Sequence, residues 1–252
     1  IAFFFIIGSY IVYEQVQFLN KRDLGFKGDQ VLEIRYKKPF FDDKDPKANE
    51  ILYKRYETLR QEISKIKGVS QVSTGTFSFA EGSSTSSTFS YKDKLIQGQN
   101  MAVDYGMLEM LKIKLTDGRY LNSQIASDSI DAAMVNETAL KLMKEKNPIG
   151  KIVQWNEHKL KIVGIVKDFN IWGPKANIPP MIFFHLKTVN WMNYNVNQLF
   201  VKVKPDDIQN TISELEKFWQ KNIDSEYPFH YDFVDKAYAR HYKEYVNQKN
   251  LF

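Results

Sequence analysis

Two stretches of this chain, about 150 residues apart, carry the same succession of hydrophobic periods. In the first, Leu32, Ile34 and Tyr36 alternate as in a half-buried strand. Leu52, Tyr56, Leu59, Ile63 and Ile66 then recur at 4, 3, 4, 3 spacing, the stripe of an amphipathic helix. Gly68 is placed to follow that helix as its C′ residue, and a second strand runs from Val69 to about Phe79. In the second stretch, Leu199, Val201 and Val203 alternate, and Pro205-Asp206 opens a helix with Asp206 as the candidate N-cap. Ile208, Ile212, Leu215 and Trp219 form its stripe, and Phe229, Tyr231 and Phe233 alternate in a closing strand. Two such units predict an α+β fold: a split βαβ-βαβ sheet with both helices on one face, formed by 27–80 and 196–235. Residues 81–195 then form an inserted, β-rich subdomain.

Within the insert, Glu81 to Ser90 is rich in Ser, Thr and Gly and reads as a loop or exposed hairpin. Met107 to Leu111 is a short helical turn. Met134-Val135 reads as a strand, and Glu137 to Lys144 as a helix capped by Asn136. Ile152 to Trp155 and Leu160 to Lys167 predict a hairpin around Asn156-Glu157, with Val163 and Ile165 packing one strand face, and Met181 to His185 a further strand.

The chain begins with an apolar block, Ile1 to Tyr13. As a helix it would extend about 20 Å, short of a full membrane span. A buried core helix is one reading. The other, the C-terminal part of a transmembrane helix over 1–13, accounts better for the abrupt polarity from Glu14 onward and for Tyr10 and Tyr13 at its edge. Residues 14–26 then form a stalk, and 236–252 a second stalk helix leading to another membrane helix, with Tyr238, Tyr242 and Tyr245 on one face. Everything between is a domain looped out on one side of the membrane.

No motif supplies a reaction centre. The sequence has no cysteine, which removes thiolate chemistry and disulfides. Gly150-Lys151 lacks the rest of a phosphate-cradling loop, and no G-x-G-x-x-G, G-x-S-x-G or H-E-x-x-H occurs. His158, His185, His230 and His241 are scattered; His241 has only Glu244 within helical reach, so no metal site is expected. Asp42-Asp43-Lys44-Asp45 lacks the glycine and closing glutamate of a calcium loop. A net charge of +5 is too small and too scattered to suggest nucleic acid. ATP hydrolysis, dinucleotide binding and the common serine or zinc hydrolase sites thus lose their usual sequence support, and no cofactor is expected. Phe40, Phe41, Trp172, Trp191 and Tyr194 stand in loop-like sequence, where aromatics serve either as partner contacts or as end caps of the core.

Four segments, in this order, resemble the extracytoplasmic core domain of MacB-type (FtsX-like) ABC transporter permeases: Met107 to Arg119, Val135-Asn136-Glu137-Thr138-Ala139, Asn147-Pro148-Ile149-Gly150-Lys151 and Ile162 to Phe169. The resemblance covers nearly the whole chain. It implies a membrane-proximal α/β subdomain (Porter) carrying an inserted β-rich one (Sabre), set between two membrane helices on the periplasmic side of the inner membrane. It further implies no enzymatic activity in this chain itself, a cytoplasmic ATPase, a second permease copy, and mechanotransmission of ATP-driven helix motion to substrates or partners outside, such as a periplasmic adaptor or carrier. Gly118, Arg119, Asn136, Pro148, Gly150 and Gly164, the most distinctive residues of these segments, read as turn, cap and close-packing residues rather than as a binding site. A ligand-sensing domain of a membrane receptor shares the same architecture and is the alternative.

Overall fold

The computed structural model describes residues 24–36, 47–79, 86–171, 177–223 and 228–240. The apolar block 1–13, most of the stalk segments, and Phe40, Phe41 and Trp172 lie outside them. Among the described residues, no helix is long and apolar enough to cross a membrane.

Four strands form one antiparallel sheet in the order β11-β1-β10-β2, built from β1 (Val31–Arg35), β2 (Val69–Ser73), β10 (Gln198–Val203) and β11 (His230–Phe233). Leu32 stands opposite Val201, and Ile34 opposite Leu199. These side chains face helices α1 (Ala48–Ile63) and α4 (Ile208–Asn222), whose residues Tyr56, Leu59, Ile63 and Ile212, Leu215, Trp219 are buried in the same cluster; Leu52 of α1 is buried as well. The alternate strand residues Val31 and Phe200 point to the opposite face and a second cluster. This is the split βαβ-βαβ arrangement, with both helices on one face.

Seven strands form the second sheet: β3 (Ser86–Tyr91), β4 (Lys94–Val103), β5 (Leu115–Gly118), β6 (Ala132–Asn136), β7 (Ile152–Trp155), β8 (His158–Val166) and β9 (Met181–His185). The order β5-β8-β6-β9-β4-β3-β7 closes, because β7 also pairs with β8. Six strands thus make a small barrel, and β5 continues along the second half of β8. A barrel of this size has no lumen and is filled by side chains. Phe89, Ile96, Val153, Trp155, Ile162, Ile182 and Phe184 are all buried in one cluster, with the Trp155 and Phe184 rings stacked at 5.2 Å. Short helices α2 (Met107–Met110) and α3 (Glu137–Met143) are the only α-helices among the described residues of this part, and α2 packs Met107, Leu108 and Met110 into the second cluster.

Several sequence expectations are corrected in detail. Helix α1 ends at Ile63, with Ser64 as its C-cap; Gly68 instead takes φ +93° in the turn before β2, closely packed on Thr211. A short 3-10 turn, Pro205–Asp207, precedes α4, so its N-cap is Asp207 rather than Asp206. The strand from Val69 stops at Ser73, and the continuing chain is held by Gln198, whose Nε2 donates to the carbonyls of Gly75 (2.8 Å) and Phe77 (2.6 Å). Part of the Ser/Thr-rich stretch is strand β3. Val163 and Ile165 do not share a face: the register slips between Ala133 and Met134, so Ile162 and Ile165 enter one cluster, and Val163 and Val166 the other.

Candidate functional site

The incoming and outgoing ends of the described chain meet. The Phe26 ring packs edge-on against Tyr238 at 5.5 Å and lies 4.6 Å from Phe79. Residues 234–240 are helical, with Val234 and Tyr238 buried beside Phe26, Val31 and Phe200. A Cβ on Gly28 would lie 2.4 Å from Val234 Cγ1, and one on Gly25 (φ +78°) 2.4 Å from the Asp168 carbonyl. Only glycine permits both approaches. The incoming segment is also tied to the layer around the barrel: Lys27 N–H donates to the Leu111 carbonyl (2.7 Å), and Asn170 N–H to that of Leu24 (3.1 Å). A displacement of either end would therefore be felt by both sheets at once.

A buried polar network forms a second junction. Asp104 follows β4, His185 ends the neighbouring parallel strand β9, and Tyr56 and Arg60 come from α1. Tyr56 OH donates to Asp104 Oδ2. Lys187 N–H donates to His185 Nδ1 at 3.1 Å, which leaves Nε2–H to donate to Asp104 Oδ1 at 3.2 Å. Arg60 Nε stands 3.6 Å from Asp104 Oδ2, and Tyr105 stacks on the imidazole at 4.1 Å. Burial raises the Asp104 pKa, but the hydrogen bonds from His185 and Tyr56 outweigh it, and the carboxyl ends below the usual aspartate value. Burial, then the Asp104 charge and its hydrogen bond, push the Tyr56 hydroxyl well above the usual tyrosine value. Tyr56 also lines a cleft with Tyr36, Leu52, Tyr53, Arg55 and Leu186 that, among the described residues, has room of about 10 Å³, the size of one water. The Tyr-Asp-His set joins α1 to the barrel. The residues are 48 and 81 positions apart, and no spacing rule connects them.

The residues carrying the resemblance connect several segments of the fold. Asn136 caps α3, its Oδ1 accepting from Ala139 N–H (3.0 Å) and Met181 N–H (2.8 Å), while its Nδ2 donates to Asp168 Oδ1 (2.7 Å) and the Pro179 carbonyl (3.0 Å). Thr138 adds two hydrogen bonds to the same Asp168 carboxylate. Gly118 stands opposite Gly164 across β5 and β8; a Cβ on Gly164 would fall 2.1 Å from the Arg119 carbonyl. Arg119 makes a bidentate contact with the buried Asp128. Lys151 N–H closes a turn on the Pro148 carbonyl (3.0 Å), in which Gly150 takes φ +83°. Replacing Asn136 by alanine leaves buried donors and acceptors on three segments unsatisfied, so a loss of about 2–3 kcal/mol is expected in urea unfolding.

Of the loop aromatics, Trp191 and Tyr194 lie in a 3-10 turn, Asn190–Asn195, packed against α1. Trp191 is 43% exposed, with its ring 5.7 Å from Trp155; Tyr194 is half-buried. Among the described residues, no three His, Asp or Glu are grouped to hold a metal.

Comparison with known proteins agrees with this architecture. The chain matches the MacB-like periplasmic core domain family over residues 1–218. It is 24% identical over 196 residues to the macrolide export ATP-binding/permease protein MacB of Campylobacter jejuni, and 26% identical over 105 residues to that of Aggregatibacter actinomycetemcomitans. The first alignment covers 74% of this chain and the second 40%; the chain spans only 28% and 16% of those relatives' lengths. In fold it is similar to the periplasmic region of MacB from Actinobacillus actinomycetemcomitans (TM-score 0.59, 18% identity, 88% of this chain and 94% of that one). It is also similar to the extracellular domain of the noncanonic ABC-type transporter YknZ from Gram-positive bacteria (TM-score 0.53, 18% identity, 80% and 98%). With an α/β sheet joined to a closed β-barrel, and with the family matched over most of its length, this chain belongs to the MacB-like periplasmic core domain family.

Proposed function

We propose that this chain is the extracytoplasmic domain of an ABC transporter permease in the inner membrane, and that it transmits ATP-driven motion of the membrane helices to partners or substrates outside. The observation that carries this reading is the shared anchor of its two ends: Phe26 and Tyr238 touch each other and sink into a core common to both sheets. Two membrane helices attached there could move the domain as a lever. In this reading, 27–80 and 196–235 form the membrane-proximal part and 81–195 the distal part, and hydrolysis belongs to an associated ATPase. A second permease copy and a periplasmic adaptor or carrier complete the assembly, with Trp191 and Tyr194 as candidate contacts.

The test uses the full-length protein in lipid nanodiscs with its co-purified ATPase. Spin labels at the exposed position Leu95 in two copies are expected to change separation between the nucleotide-free and ATP–vanadate states. Identical distance distributions with an active ATPase would overturn mechanotransmission; recovery of the protein with signalling components and no ATPase would favour a receptor. Gly28→Val is expected to reduce the nucleotide-driven shift by more than half while hydrolysis continues, because the new side chain must displace Val234 at the root of the lever.

A further inference from the structure

We propose that the open outer face of the barrel, across β4, β3, β7 and β8, docks an acidic protein segment bearing apolar side chains. The strand registers place Leu95, Ser90, Gln154 and Lys159 in one row across these four strands, because Leu95 pairs with Ser90, Ser90 with Gln154, and Gln154 with Lys159. Ile152 and Lys161 pair in the next row. Elsewhere the outside of the barrel is covered: Met101, Val103, Met134 and Phe183 are buried with α2 in the second cluster. Here nothing covers it among the described residues, and Leu95 is 75% and Ile152 47% exposed.

Charge decides what fits. Lys151, Lys159 and Lys161 are exposed and make no ion pair among the described residues. Lys144 and Lys146, exposed on either side of Glu145, lie near the β3–β4 turn, where Glu145 is bound to Tyr91 and Lys92. The nearby carboxylates are fewer: Glu145 is taken by Lys92, Glu157 lies beside His158, and Asp93 and Asp131 remain. Two apolar side chains among unpaired ammonium groups complement a surface of carboxylates around apolar residues. A second copy of this chain applied through the same face would set lysine against lysine, which disfavours an isologous pair. The flat row of Ser90 and Gln154 offers hydrogen bonds to a protein surface. It has no arginine fork of the kind that recognises phosphate.

This inference stands independently of motion transfer, and its test needs no transport. The probe is a fluorescent peptide of alternating glutamate and leucine, titrated against the 252-residue chain by anisotropy. Binding is expected, weakened at least ten-fold by Lys159→Glu/Lys161→Glu and several-fold by Leu95→Ser/Ile152→Ser. The control Lys217→Glu/Lys221→Glu makes the same charge change on α4 and should leave binding within two-fold. A glutamate–serine peptide should bind less well. Equal losses in both charge-reversal variants would show a non-specific charge effect and overturn the proposal. So would no binding of the peptide, or binding of the chain to phosphatidylglycerol vesicles but not to the peptide. Circular dichroism checks that the variants fold, which the exposure of these lysines favours.

Discussion

Phe184→Ala is expected to destabilise the chain by about 3–5 kcal/mol in urea or thermal unfolding. Phe184 is fully buried in β9, opposite Ala133 on one side and Ala102 on the other. Its small neighbours leave the space that its ring fills, and Trp155 stacks on it. Removing the ring opens a cavity inside a closed barrel, where the strands cannot collapse without breaking the ladder. Because the buried cluster around Phe184 also includes Leu32, Ile34 and residues of α1 and α4, both sheets are expected to lose stability together in one transition. Two separate transitions would show that the barrel unfolds alone. Phe184→Leu should recover at least half of the loss, since it keeps most of the apolar volume.

Asp104→Ala is expected to cost about 3 kcal/mol, for a different reason. No large cavity forms, but the Tyr56 hydroxyl and His185 Nε2–H lose their acceptor in a buried site, and Arg60 loses its nearest carboxylate. Asp104→Asn should cost less, because the amide keeps one acceptor. The two variants also differ from the wild type in acid. The folded-state pKa of Asp104 is depressed, so its contribution is fully present above the unfolded aspartate value of about 3.9 and is lost as pH falls through the folded value. The wild type should therefore lose stability below about pH 4 faster than Asp104→Asn does, which a series of urea unfolding curves from pH 7 to pH 3 would measure. Parallel curves would mean that folding does not shift the Asp104 pKa, and a wild type that gains stability relative to Asp104→Asn in acid would mean that the folded carboxyl is protonated. Hydrogen exchange should report faster opening at α1 and at the end of β9 in Asp104→Ala, since those elements meet at this residue.

The sequence by itself determined the strands and helices of the α/β sheet, but not the longest strand of the barrel, β4. Leu52, Tyr56, Leu59 and Ile63 could only make a stripe as a helix, and Leu199, Val201 and Val203 only a face as a strand, because local periodicity reflects which side of each element is buried. Asn136 was legible as a cap because a cap is a local matter of one side chain and the amide three residues on. Tertiary structure decided the rest. The β7–β8 hairpin was legible from its turn, but closure of the barrel depends on β7 also pairing with β3, a contact between distant strands that no period encodes. The bulge at Val163 reversed the facing of two residues that simple alternation had placed together, since one unpaired residue shifts every later side chain to the other face. The meeting of Phe26 with Tyr238, the Asp104–His185–Tyr56 junction and the row of Leu95, Ser90, Gln154 and Lys159 across four strands likewise exist only once the chain has folded. Each joins residues far apart in sequence, and only packing sets the distances between them.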